Sequence, residues 1–374
     1  MNLRDWQVRA IQAWKQSGRK GIISAATGGG KTFLALTLSK DLNCKFIIIV
    51  CPTITLIDQW HGNILFLFNV NNNEISRSLK KIRKYILITD RHLKNNFHLI
   101  SPINTFIILD ECHRYATEAN IPWLELNYHS KVGLTATTRR NYDNNFSTII
   151  EKNIGKIVFR YRLRDAVDDK VVVPYHIQNI NVPLTINEQG GVDSISQKIA
   201  KLMSINEDAD IKMLLIQRRR IINEAVNRNI VAVYLVKKYL NLKKIMFCES
   251  IGQAEHIRNE LINQNIACSI YHSKLSKKIR LQNLFEFING NSLTLIGCKA
   301  LDEGLDVPDI TLGIIVSQSN SDRQRIQRIG RTVRLHTDKE SSTVITLFSH
   351  KSESDLLQRE ERENTFLSHN WMRT

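Results

Sequence analysis

Ten short apolar runs, rich in β-branched residues, recur along this chain in two series of five. The first series is GIISAA at 21–26, FIIIVC at 46–51, YILIT at 85–89, FIILD at 106–110 and KVGLTAT at 131–137. The second is KIMFCES at 244–250, IACSIYH at 266–272, LTLIGC at 293–298, LGIIVS at 312–317 and TVITLF at 343–348. Each is built on a continuous apolar stretch and runs into a polar loop. Strands of that kind are covered on both faces, as in a parallel sheet flanked by helices. The segments between them read as helices, so the pattern predicts βαβ units in two α/β lobes. At 374 residues the chain has room for two domains.

The stretch VVVPYHIQNINVPLT at 171–185 separates the two series. Its prolines and its extended, alternating pattern predict a crossover. The expected organisation is a first domain at 1–170, a crossover at 171–185 and a second domain at 186–374. Residues 194–240 read as mostly polar helices, with Arg218, Arg219 and Arg220 clustered on them.

Apolar residues make up 43% of the chain and charged residues 24%, a balance that excludes disordered, collagenous and low-complexity classes. Purely apolar stretches such as FIIIVC and ILFLF fall far short of the roughly 18–20 residues of a membrane span. The charged start, MNLRDWQVRA, lacks the apolar core of a signal peptide. These features predict a cytoplasmic protein (host cytoplasm if viral) with no membrane partner. The six cysteines form no CxxC pair and show no zinc or disulfide framework. The net charge of +16 favours a polyanionic partner. Residues 1–170 hold 25 Lys and Arg against 14 Asp and Glu, so the excess is concentrated in the first half.

The run at 21–26 leads into Thr27, Gly28, Gly29, Gly30, Lys31 and Thr32, followed by the apolar helical stretch FLALTLSK. Consecutive glycines let backbone N–H groups converge on phosphate oxygens, and a helix N-terminus adds its positive end. Lys31 would reach the β- and γ-phosphates, and the Thr32 hydroxyl would hold Mg²⁺. Ala25 stands where such loops usually begin with glycine. A tight turn with a solvated lysine is the plainer alternative.

FIILDECH at 106–113 ends an apolar strand in two carboxylates. Asp110 would hold Mg²⁺, partly through water. Glu111 would orient and deprotonate an attacking water. His113 suits a contact with the other lobe or with a glutamine near the γ-phosphate. A solvated loop remains the plainer alternative here too. Cys112 and His113 lack the second ligand pair that a metal site requires.

AATGGGKT at 25–32 together with DECH at 110–113 resembles the superfamily 2 helicases and translocases of the DEAD/DEAH-box class. Further motifs follow in that class's order. LRDWQ at 3–7 resembles the adenine-recognition motif, IVCPTITLIDQW at 49–60 motif Ia, and ITD at 88–90 motif Ib. LTATT at 134–138 resembles motif III, FCES at 247–250 motif IV, LDEGLDVP at 301–308 motif V, and QRIGRTVR at 327–334 motif VI. The wording is most similar to the branch of type III restriction motors, excision-repair helicases and phage recombination helicases.

The resemblance implies two tandem RecA-like domains, each a parallel sheet flanked by helices, with a nucleotide cleft between them. It implies ATP and Mg²⁺ as cofactors, with Arg4 and Gln7 reading the base. It places Gly304 near the γ-phosphate and Asp306 near the ribose, with Gln327, Arg331 and Arg334 completing the catalytic set. It implies nucleic-acid contacts by Pro52, Thr53, Thr89, Ser250 and Cys298, and coupling by His113, Thr135 and Thr137. Two positions depart from the pattern: Thr138 replaces the branch's usual proline, and Cys298 replaces a frequent threonine. The implied activity is an ATP-dependent DNA helicase or translocase, sequence-independent, on single-stranded, forked or branched DNA. The alternatives are an RNA helicase, or an ATP-gated nucleic-acid-binding subunit of a larger repair or defence complex. Protein partners for targeting belong to the same expectation.

Overall fold

The computed structural model describes residues 2–26, 28–40, 42–136, 145–205, 210–298, 309–317, 328–330, 332, 339–363 and 368–373. The chain divides into two compact units, one built mainly on Met1–Val172 and the other mainly on Val173–Asn320.

The first unit carries strands β1 (Lys20–Ala25), β2 (Phe46–Cys51), β3 (Ile75–Ser76), β4 (Tyr85–Thr89), β5 (Thr105–Leu109), β6 (Ser130–Thr135) and β7 (Ile157–Tyr161). They form one sheet in the order β3-β4-β2-β5-β6-β1-β7. Every pairing in it is parallel. The five apolar runs of the first series are β1, β2, β4, β5 and β6. The two strands outside that series, β3 and β7, lie at the sheet's edges, where one flank has no neighbouring strand and a continuous apolar run is not required. Helices α1 (Asp5–Gln16), α2 (Lys31–Lys40), α3 (Ile54–Phe68) and α4 (Asp90–Asn96) pack around the sheet. The core joins Ile48, Val50, Ile86 and Ile107 of the strands to Tyr115, Trp123 and Tyr128 of the loops beyond β5.

The second unit carries β8 (Tyr175–Asn181), β9 (Lys244–Phe247), β10 (Ser269–Tyr271), β11 (Thr294–Gly297), β12 (Leu312–Ile315), β13 (Ser342–Phe348) and β14 (Ser368–Arg373). Their order is β10-β11-β9-β12-β13-β8-β14, again parallel throughout. The segment read as a crossover therefore contributes a strand: β8 lies between β13 and β14. Its extended, alternating look is the burial alternation of a strand near a sheet edge. Most of the described residues within 194–240 are helical, as expected. They belong to the helices Ile186–Ile205, Lys212–Asn223 and Val226–Lys238, of which the last buries Ala232, Leu235 and Val236 in the core. The two units are tandem RecA-like domains.

In a parallel sheet all strands point one way, so the loops after β1, β2, β4, β5 and β6 leave the same edge. That geometry brings the candidate residues of the first unit to one place. Among the described residues no helix is long and apolar enough to cross a membrane. The six cysteines are free thiols.

Candidate functional site

The glycine loop follows β1 and opens α2. Gly28 and Gly30 take φ values of 81° and 97°, conformations in which a side chain is strained. A Cβ on Gly30 would lie 2.9 Å from Gln7 Nε2, and one on Gly29 would lie 3.1 Å from the Ala26 carbonyl. Lys31 folds its amine back over the strand end, donating to the Ala25 carbonyl at 2.9 Å. Thr32 sits in the first turn of α2. Such a cradle at a helix N-terminus, with an amine at its mouth, fits a nucleoside triphosphate.

Arg4 and Gln7, read as base contacts, fasten this loop. The Arg4 guanidinium donates to the Gly29 carbonyl at 3.1 Å, and the Gln7 amide donates to the Gly30 carbonyl at 3.1 Å. Gln7 Oε1 also accepts from the Arg4 backbone N–H at 2.9 Å, which fixes the start of α1. Beside them the buried Trp6 stacks on Tyr161 of β7, with ring centroids 4.5 Å apart. Trp6 is a residue that motif reading passed over.

Asp110 follows β5 directly, and its amide donates to the Val50 carbonyl at 3.0 Å. Its buried carboxylate accepts from the Trp60 indole at 2.8 Å and from the Glu111 amide at 3.0 Å. Burial raises the Asp110 pKa, while Trp60, the Lys31 charge and the Glu111 amide oppose that rise. Glu111 adopts a left-handed conformation, φ 48° and ψ 50°, unusual for a residue with a side chain. Strain of this kind, in a loop at the carboxyl edge of a parallel sheet, marks a position where orientation matters.

His113 joins two loops. Its Nδ1 lies 2.9 Å from Thr135 Oγ1, at the end of β6, and 3.4 Å from Glu111 Oε2. All three residues are buried. Thr135 sits opposite Ser24 of β1 in the ladder, so this contact also borders the glycine loop's own strand.

The hydroxyls read as nucleic-acid contacts share one local structure. Thr53, after β2, accepts from Leu56 N at 3.3 Å and caps α3. Thr89, at the end of β4, accepts from His92 N at 3.3 Å and caps α4. Ser250, after β9, accepts from Gln253 N at 3.1 Å and caps the helix Ile251–Asn263. Capping and phosphate contact are compatible, because both use the free N–H groups of a first helical turn. Pro52 is half-buried beside Thr53. Cys298 is different: its thiol is part of the apolar core of the second unit, so it presents no donor at the surface. Thr27, Thr137, Gly304, Asp306, Gln327, Arg331 and Arg334 lie outside the described residues, as does Thr138.

The arrangement is a phosphate cradle, a buried carboxylate and a strained glutamate on one edge of one sheet. Residues 1–140 match the family described as type III restriction enzyme, res subunit. Residues 226–336 match the family described as helicase conserved C-terminal domain. The chain belongs to the superfamily 2 helicases. Like other members of that superfamily it is an ATP-hydrolysing enzyme. This helicase is 27% identical to the DNA 3'-5' translocase XPB2 of Sulfurisphaera tokodaii, over 97% of this chain and 85% of that protein. It is 26% identical to the probable helicase A859L of African swine fever virus, over 93% of this chain but only 41% of the viral protein. Its fold is similar to the solved helicase domain of Pyrococcus furiosus Hef, with a TM-score of 0.61 at 17% identity, covering 96% of this chain and 98% of that one.

Proposed function

We propose that this helicase is an ATP-driven DNA helicase or translocase, without sequence preference, acting on single-stranded, forked or branched DNA. The observation that carries the reading is the pairing of a buried, hydrogen-bonded Asp110 with a left-handed Glu111 beside the glycine loop. Similarity to a DNA translocase over 97% of the chain favours DNA as the substrate.

In this reading the amides of Gly28–Gly30 and the Lys31 amine bind the β- and γ-phosphates. Binding draws Lys31 away from the Ala25 carbonyl. Thr32 and Asp110 hold Mg²⁺, which when bound neutralises phosphate charge. Glu111 takes a proton from the water that attacks the γ-phosphorus, and ADP and phosphate leave. Arg331, Arg334 and Gln327 are assigned by motif register to the charge that accumulates during transfer, and Gly304 and Asp306 to the nucleotide. Thr27 is assigned to the nucleotide by motif register. Arg4 and Gln7 give the adenine site direct contact with the glycine loop, because each side chain already holds a loop carbonyl.

His113 links Glu111 to Thr135, so a change at the γ-phosphate reaches the end of β6; Thr137 is assigned to the same coupling by motif register. Pro52, Thr53, Thr89 and Ser250 grip the phosphate backbone at helix N-termini. Residues 1–170 serve as the ATP-binding domain and 186–374 as the C-terminal helicase domain. The segment 171–185, which holds β8, connects them.

Steady-state ATP hydrolysis tests this, with no nucleic acid and then with single-stranded, duplex and forked DNA and with RNA. The expected result is strong stimulation by DNA and little by RNA. The Glu111→Gln enzyme is expected to bind ATP and DNA yet lose turnover. Stimulation by RNA alone would transfer the activity to RNA, and normal hydrolysis by Glu111→Gln would remove the glutamate as the base.

A further inference from the structure

The amino-terminal edge of the first sheet lies opposite the loops that hold the glycine cradle and the Asp110 carboxylate. A cavity of about 90 Å³ opens there, walled by Phe46 and Ile48 of β2, Ile86 of β4, and Leu79, Ile82 and Leu99 of the flanking loops. It exists because α4 is only seven residues long. At 1.5 Å per residue such a helix spans about 10 Å and leaves the amino-terminal half of that face to loops.

Three aliphatic side chains stand out at this edge instead of closing it. Ile82 is 59% exposed, Leu99 44% and Ile103 67%. Around them the charge is predominantly positive, although Glu74 borders Tyr85 and Asp58 pairs with Arg77. Residues 75–89 hold five Lys and Arg and no carboxylate, and residues 97–105 hold no carboxylate either. Lys80, Lys81, Arg83 and Lys84 are all exposed. Lys45 extends the rim from the other side, with its amine 5.5 Å from the Phe46 ring centre.

We propose that this edge docks an acidic segment of a partner protein, which places one aliphatic side chain in the cavity between Phe46 and Ile82. The basic rim selects carboxylates, and the cavity selects the anchor. About 90 Å³ is roughly three times a water molecule's share of the liquid, which suits a branched aliphatic group. Nucleic acid fits this edge less well. Phosphate gains nothing by covering three exposed aliphatic side chains, and single-strand platforms stack bases on aromatic rings, whereas the protruding groups here are isoleucine and leucine. The edge is also remote from the carboxyl-edge loops of the same sheet, so a partner seated here leaves the ATP machinery of this unit uncovered.

Fluorescence anisotropy of the full chain with two labelled probes tests the proposal. One probe is a short peptide of Asp and Glu with a single central Leu; the other has Ala in place of that Leu. Burial of the leucine is worth about 1.5–3 kcal/mol, so the Leu peptide is expected to bind at least about tenfold more tightly. Ile82→Asp is expected to abolish that preference, and Lys80→Glu with Lys81→Glu to weaken both peptides. ATP hydrolysis, with and without DNA, is expected to stay unchanged in each variant, which also shows that they fold. Equal binding of the two peptides, or no change in Ile82→Asp, would overturn the proposal. So would a lower DNA affinity in the variants, which would make the edge a nucleic-acid surface. Concentration-dependent dimerisation of the wild type that Ile82→Asp removes would reassign it to a second copy of the chain. The peptide-binding readouts do not depend on the hydrolysis reading being correct.

Discussion

Asp110 occupies a position where burial alone would favour its neutral form, and three neighbours counter that. Trp60 is the one neighbour that neither adjoins it in the chain nor belongs to the glycine loop. Its indole fixes one carboxylate oxygen at 2.8 Å and leaves the other to the Glu111 amide. A hydrogen bond to a charged group is worth about 1.5–3 kcal/mol. Trp60→Phe keeps the packing of α3 and removes the donor, so turnover is expected to fall by about tenfold while ATP affinity changes little. Steady-state kinetics checks this, and an unchanged turnover number would show that the orientation of Asp110 is set elsewhere. The sequence presents Trp60 inside motif Ia without its partner, because that partner lies 50 residues away, just beyond the end of β5. Motifs name the groups that touch substrate; the groups that hold them in place, Trp60 and Trp6, are set by tertiary packing. The same scale yields a stability prediction. Lys244, at the buried start of β9, has its pKa lowered by burial from 10.5 to about 8. Below about pH 8 the folded protein carries this buried charge at a disadvantage. Between about 8 and 10.5 the unfolded chain binds the extra proton, so stability rises with pH there. Lys244→Met is therefore expected to stabilise the fold at pH 7, by about 3 kcal/mol at most, with the gain fading by pH 10.5. Urea unfolding at the two pH values measures it.

Within single elements, the hydroxyls of Thr53, Thr89 and Ser250 end strands and begin helices. Thr53→Ala removes a cap from α3 and is expected to cost about 1 kcal/mol of stability. Thr53→Ser keeps the cap, so a difference in DNA affinity between wild type and Thr53→Ser would report on contact rather than on folding. A stiffer joint occurs in the second unit. Arg228, fully buried on the helix Val226–Lys238, pairs with Glu353 of the helix Lys351–Glu363, and also donates to Ser349 Oγ at 2.8 Å and to the Val316 carbonyl at 3.2 Å. Glu353→Gln leaves the guanidinium charge buried without its counter-ion, an expected loss of about 3–5 kcal/mol in urea unfolding. These elements also show where sequence reading stops. The ten runs are legible because a strand covered on both faces must be apolar along its length. β3, β7 and β14 lie at sheet edges or beside them and escape that requirement. β8 reads as a connector because Pro174 and Pro183 flank it and its sequence is extended and alternating. Glu353 gives no sign of its role, since an acidic helix reads as a solvated face until a buried arginine is seen across from it.

At the scale of the whole molecule, the +16 charge and the proposed nucleic-acid grips are separate features. Pro52, Thr53, Thr89 and Ser250 include no Lys or Arg, so contacts at those helix N-termini release few counterions. Part of the excess charge lies instead at 80–84, on the opposite edge of the first sheet. On single strands each phosphate neutralised by Lys or Arg adds about 0.7 to the slope of log affinity against log salt. If helix N-termini dominate the grip, with no more than about three cation contacts, the slope on single-stranded DNA is expected to be about −2 or shallower. The double charge reversal Lys80→Glu with Lys81→Glu is then expected to leave the slope unaltered, because those lysines face away from the track. A DNA-binding titration across a salt series decides both points. A slope of about −5 or steeper would mean that basic side chains line the track, and the grip would then need Lys and Arg beyond the residues named. A slope that flattens only in the double reversal would place DNA on the amino-terminal edge, displacing the acidic partner from it. A shallow slope shared by both proteins fits a motor that holds its strand by backbone amides and hydroxyls and uses its surplus charge elsewhere.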